Sequence, residues 1–202
     1  MPRVFQGSAH VVFRDAALKQ PPRIGIVVSR FSKVTRDGKG IGELLLEGCL
    51  ERLRKAELPD DAVTLLWVPG AFELPVAAQH LAPHCAAVIA LGCVIRGETP
   101  HFDFVAGEAS RGIAQVALST GVPVIFGVLT TDNDQQALDR VGGAHGHKGV
   151  EAAEAALEMV TLLNNYKLGR KQGESPRVGL AFERAASAAP TTNSPGQPKS
   201  PS

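Results

Sequence analysis

Four short apolar runs rich in β-branched residues recur along the chain, and each is followed by a stretch with helical spacing. They are "RIGIVVS" (residues 23 to 29), "AVTLLWV" (62 to 68), "AAVIALGCVI" (86 to 95) and "VPVIFGVL" (122 to 129). Runs that stay apolar on both faces read as parallel strands covered by helices on each side. The segments between them repeat apolar residues every three or four positions, as in "ELLLEGCLERLRKAEL" (43 to 58), "AFELPVAAQHLA" (71 to 82) and residues 101 to 120. "TTDNDQQALDRV" predicts a short helix capped by Asp132 or Asn133 and stopped by Gly142 and Gly143, and a last helix spans about 149 to 167 and ends at Gly169. Right-handed crossovers joining such elements build a three-layer α/β/α sandwich around a four-stranded parallel sheet.

Composition excludes several classes of partner. The formal net charge is +1 with Lys and Arg scattered, which gives no basic stripe for a nucleic acid. No apolar run reaches membrane-spanning length, and the N-terminal stretch lacks the features of a signal peptide. Three cysteines, each in an apolar or helical context, fit a reducing cytoplasm. Residues 1 to 20 contain "AHVVF", a lone strand with no helix to join it to the sheet, free to pair with an edge in this chain or in another. From 169 to 202 the chain is rich in Pro, Ser, Ala and Gly, the composition of a disordered tail, which leaves 21 to 168 as the folded domain.

Ligands of parallel sheets bind beyond the carboxyl ends of the strands. Here those ends read "SRFS", "VPGAFE", "VIRGETPH" and "LTTDN". In "RGETPHF", Thr99 and Pro100 read as an N-cap followed by Pro at the first helical position, and Gly97 allows close backbone approach, a combination suited to phosphate. His101 falls one turn into that helix, and of six histidines it alone adjoins a strand end with an anion-binding signature. Phe31 and Phe72 follow two strand ends, either as core or as stacking platforms for a planar heterocycle. Glu73 opens a helix and favours its dipole whether or not it binds a ligand. "GKGIG" (38 to 42) lacks the third glycine and the preceding strand of a dinucleotide loop. "AHGHKG" and "HLAPHC" lack the companion ligands of a zinc site, so no metal is expected.

Taken together, "GIVVSRF", "VPGAFELP", "ALGCVIRGETPHFDFVAGEASRGI", "GVPVIFGVLTTDN" and "DRVGGAHGHKG" resemble the lumazine synthase family over about residues 22 to 165. The resemblance implies a flavodoxin-like fold, no cofactor, and a transferase of riboflavin biosynthesis. Its substrates would be 5-amino-6-(D-ribitylamino)uracil and 3,4-dihydroxy-2-butanone 4-phosphate, and its product 6,7-dimethyl-8-ribityllumazine. It implies that Phe31 stacks on the pyrimidine, that Ala71, Phe72 and Glu73 hold the ring and ribityl chain, and that the backbone of Val94 and Ile95 contacts the pyrimidine. Gly97, Glu98 and Thr99 would hold the phosphate and His101 would transfer protons. Phe126 and Arg140 would reach the site of an adjacent subunit, with Lys148 close by, so that the expected unit is a homopentamer. Family members that stop at pentamers tend to carry an insertion after the "GG" turn; its absence here favours a shell of 60 subunits. Two departures stand out: Ser32 and His147 replace the family's usual asparagines, and the loop from Ser32 to Gly42 is longer and richer in glycine than is common. A non-catalytic binder of flavin or lumazine and a purely structural shell protein are the rival readings.

Overall fold

The computed structural model describes residues 21–31 and 35–171, with side chains to residue 167. The "AHVVF" segment, Ser32 and residues 172–202 lie outside the described residues. The chain begins with β1 (Ile24–Ser29) and a small antiparallel hairpin, β2 (Thr35–Arg36) and β3 (Lys39–Gly40). Then come α1 (Ile41–Lys55), β4 (Val63–Val68), α2 (Leu74–Leu81), β5 (Ala87–Ile95) and α3 (His101–Thr120). It closes with β6 (Val124–Thr131), α4 (Asp134–Leu138), a second hairpin of β7 (Val141–Gly143) and β8 (Gly146–His147), and α5 (Lys148–Lys171).

The expected sheet forms: β1, β4, β5 and β6 are parallel, in the order β4-β1-β5-β6. Alternate residues of a strand face opposite sides. Ile24, Ile26 and Val28 of β1 therefore pack with Leu45 of α1 and Leu157 of α5, while Val27 packs on the other side with Leu74 of α2 and Ile113 of α3. The result is three layers, α1 and α5 over one face and α2 and α3 over the other.

Strand β4 departs from the expectation of cover on both faces. It is an edge strand whose Leu65, Leu66 and Trp67 are all exposed. Helix boundaries shift for local reasons. Helix α1 starts at Ile41, two residues earlier than expected, because Glu43 accepts a hydrogen bond from the Gly40 N–H at 2.7 Å and satisfies a donor at the helix start. "GKGIG" is thus half hairpin and half helix start. The expected helix over 71 to 82 divides into a one-turn 3-10 helix (Ala71–Glu73) and α2, with Pro75 in the first turn, where its missing N–H costs nothing. Of the two candidate caps of α4, Asn133 serves, accepting from Gln136 N–H; that helix stops at Leu138, before the glycines, which belong to the β7–β8 hairpin. Helix α5 continues through Gly169 to Lys171, since one glycine costs a helix only about 1 kcal/mol.

Candidate active site

Because the sheet is parallel, Ser29, Val68, Ile95 and Thr131 end their strands on one edge. The connections run in opposite directions from β1, so β1 and β5 flank the switch point where ligands of such sheets collect. The two segments that follow β1 and β4 are joined by their backbones. Arg30 N–H donates to the Val68 carbonyl and Phe31 N–H to the Pro69 carbonyl, both at 2.9 Å. This sets Phe31 beside the Gly70–Glu73 turn. Phe31 is 66% and Phe72 57% exposed, which removes the core reading for both and leaves two open aromatic faces. Ala71 is buried in the cluster that includes Val27, Val68 and Leu74. Glu73 accepts from Gly70 N–H through Oε2 at 2.9 Å, so its carboxylate is held at the turn.

At the end of β5, Val94 and Ile95 are half-buried, and Gly97, Glu98 and Thr99 form an exposed loop. Helix α3 begins one residue later than expected. Pro100, not Thr99, occupies its cap position, and no side chain caps it, because proline carries no side-chain acceptor; the Pro100 carbonyl accepts from Asp103 N–H at 3.0 Å in a first helical turn. His101 is accordingly the first residue of the helix and not one turn in, and it is exposed. The helix start keeps unpartnered N–H groups and partial positive charge beside the loop.

Sequence reasoning passed over Arg96, although a cation directly after a strand, with acids at 103 and 132, carried the signal. Its N–H donates to the Thr131 carbonyl at 2.8 Å. Its guanidinium pairs with Asp132 at 3.2 Å and Asp103 at 3.3 Å, and lies 4.1 Å from the centroid of the Phe102 ring.

Phe126, Arg140 and Lys148 form a second group. They line a groove of about 420 Å³ along β6, the other edge strand of the sheet. Phe126 stands five residues before the end of β6 at Thr131, about 17 Å back along the strand at about 3.3 Å per residue. Within one chain it lies away from the strand ends. Arg140 donates through one guanidinium nitrogen to the Gln136 carbonyl at 2.8 Å, and its own carbonyl accepts from Lys148 N–H at 2.9 Å.

The β2–β3 hairpin docks on the segment that follows Arg140. Asp37 and Gly38, with φ of 54° and 77°, turn the β2–β3 hairpin as a tight two-residue connection. Arg36 then donates to the Val141 carbonyl, next to Arg140 in the chain. His147 accepts from Gly149 N–H through Nδ1 at 3.2 Å; burial, and then the Arg36 charge, hold its imidazole below the ordinary value. A second groove of about 550 Å³ opens between the hairpin and β4, bordered by Arg30, Glu43 and Trp67. Among the described residues no group of three or more His, Cys, Asp and Glu side chains could hold a metal ion.

Residues 21–164 match the family model for 6,7-dimethyl-8-ribityllumazine synthase. A curated relative from Edwardsiella ictaluri (strain 93-146), named 6,7-dimethyl-8-ribityllumazine synthase, is 49% identical over 148 residues, covering 72% of this chain and 91% of the relative.

Proposed function

This chain belongs to the 6,7-dimethyl-8-ribityllumazine synthase family, and from that premise we propose how its own residues perform the family's reaction. It is a transferase of riboflavin biosynthesis that condenses 5-amino-6-(D-ribitylamino)uracil with 3,4-dihydroxy-2-butanone 4-phosphate to give 6,7-dimethyl-8-ribityllumazine, phosphate and water. Phe31 stacks on the pyrimidine while the backbone of Val94 and Ile95 meets its polar edge. Ala71 and Phe72 shape the ring pocket, and the Glu73 oxygen not engaged by Gly70 accepts from ribityl hydroxyls.

Gly97, Glu98 and Thr99 hold the phosphate of the second substrate against the α3 start. The uracil's 5-amino group attacks the butanone carbonyl and loses water to form an imine. Phosphate then leaves, and the ring closes with loss of a second water. Each step moves a proton, and His101 at the helix start takes and returns it.

The second group of residues completes the site from a neighbouring copy. The place of Phe126 supports this reading: it stands well back from the strand ends, on an edge strand whose groove it shares with Arg140 and Lys148. A guanidinium's planar fork suits the phosphate oxygens, so Arg140 closes the clamp across the interface, with Lys148 beside it. The assembly is a homopentamer working in the cytoplasm, with twelve pentamers joined into a 60-subunit shell. The domain comprises residues 21 to 168, flanked by the N-terminal arm and the C-terminal tail. No described helix is long and apolar enough to cross a membrane. Mixing purified protein with both substrates tests the reading: lumazine fluorescence and phosphate must appear together. Heterocycle binding without turnover would favour a flavin or lumazine binder.

A further inference from the structure

We propose that Arg96 is a positioning residue: its guanidinium clasps the 97–100 loop shut and thereby fixes the geometry that receives the substrate phosphate. The proposal rests on the reading of Gly97, Glu98 and Thr99 as the phosphate loop.

Four residues lie between Arg96 and His101, outside helix and strand. The loop's near end is pinned by Arg96 N–H on the Thr131 carbonyl. Its far end is pinned by the side chain of the same residue, through the ion pair with Asp103 and the stack on Phe102 in the first turn of α3. The second ion pair, to Asp132, ties the clasp to the segment after β6. Three elements of the fold therefore meet on one guanidinium.

Each ion pair is exposed and contributes little alone, but a fork held by two carboxylates and a ring restrains the loop far more than one contact would. Ordering a loop before the ligand arrives removes a cost that binding would otherwise bear. Charge argues for action through geometry. With both aspartates engaged the cluster carries a net negative charge, so Arg96 is a poor direct ligand for phosphate while the clasp is closed.

The test compares Arg96→Ala, Arg96→Lys, Asp103→Asn, Asp132→Asn and Thr99→Glu in the assembled enzyme. The readouts are inorganic phosphate binding by calorimetry, KM for each substrate, and thermal melting. Arg96→Ala should weaken phosphate and raise KM for the butanone phosphate about 5- to 30-fold, the range opened by losing one or two kcal/mol of preorganisation. KM for the uracil should stay within about 2-fold. Arg96→Lys should recover little, lacking the fork, and each aspartate variant should weaken phosphate in the same direction.

Unchanged phosphate affinity in Arg96→Ala would overturn the proposal. So would tighter phosphate binding in the aspartate variants, which would make Arg96 a direct ligand, or a parallel rise in both KM values with a lowered melting point, which would make its role one of stability. Thr99→Glu places a carboxylate in the loop itself. If that variant binds phosphate normally, the reading of the loop is wrong; if it loses phosphate while Arg96→Ala does not, only the clasp fails.

Discussion

The imidazole of His147 lies directly over Gly48 of α1: a Cβ on that glycine would stand 2.2 Å from the ring's Cε1 and 2.5 Å from Nε2. The missing side chain of Gly48 is the vacancy that accommodates this ring. Gly48→Ala must drive the ring out and break its hydrogen bond with Gly149. Overpacking of this kind costs about 1–3 kcal/mol, which chemical denaturation will read as a lowered midpoint. His147→Asn should restore much of that loss in the double variant, because the smaller side chain leaves room for the added methyl.

The same ring makes stability depend on pH. Burial and the Arg36 charge hold His147 below its ordinary value of 6.5, so the unfolded chain takes up this proton before the folded one. His147 therefore contributes stability that is fully present above the unfolded value and is lost as pH falls through the folded one. Melting temperatures measured from about pH 7.5 down to about pH 5 should fall more steeply for the native protein than for His147→Asn. Equal slopes would mean that this imidazole does not couple to folding.

Much of this was legible in the chain because the signals were local and repeated. Apolar runs alternating with helical spacing fix a parallel sheet, and its order puts the residues after each strand on one edge. What stayed hidden depended on contacts distant in sequence. The clasp at Arg96 joins a charge after β5 to Asp132 after β6, 36 residues on. The Arg36 contact with Val141 spans 105 residues. The exposure of Trp67 could not be read from an apolar run either, since an edge strand and a central strand of the same composition look alike until their neighbours are known. The Thr99 cap failed by a single residue, because Pro100 adopts the turn that opens α3.

His101→Ala should lower kcat by about 10²–10⁴ without abolishing turnover, the share that general acid–base help usually supplies. The remaining rate comes from holding two reactants together, which the variant retains. Steady-state kcat across pH checks this; full activity at every pH would remove His101 from the proton-transfer role.

Burial pushes the thiols of Cys49 and Cys93 up to about 12. The thiolate is the reactive form, so native protein at about pH 8 should alkylate at these positions on the order of a thousandfold more slowly than the unfolded chain. Peptide mapping after iodoacetamide treatment gives the answer directly. Rapid labelling of either residue would show that the core opens on the experimental timescale.

The central claim is that each site is built from the strand ends of one copy and the β6 groove of the next. Thr99→Glu damages only the first half and Arg140→Ala only the second. The two variants, each weakly active alone, are unfolded together, reassembled at equal amounts and assayed for lumazine formation. With random assembly about a quarter of the sites should pair two intact halves, so activity should rise well above either parent. If each chain instead formed its own site, every site would carry a defect, and a mixture no more active than its parents would contradict the account.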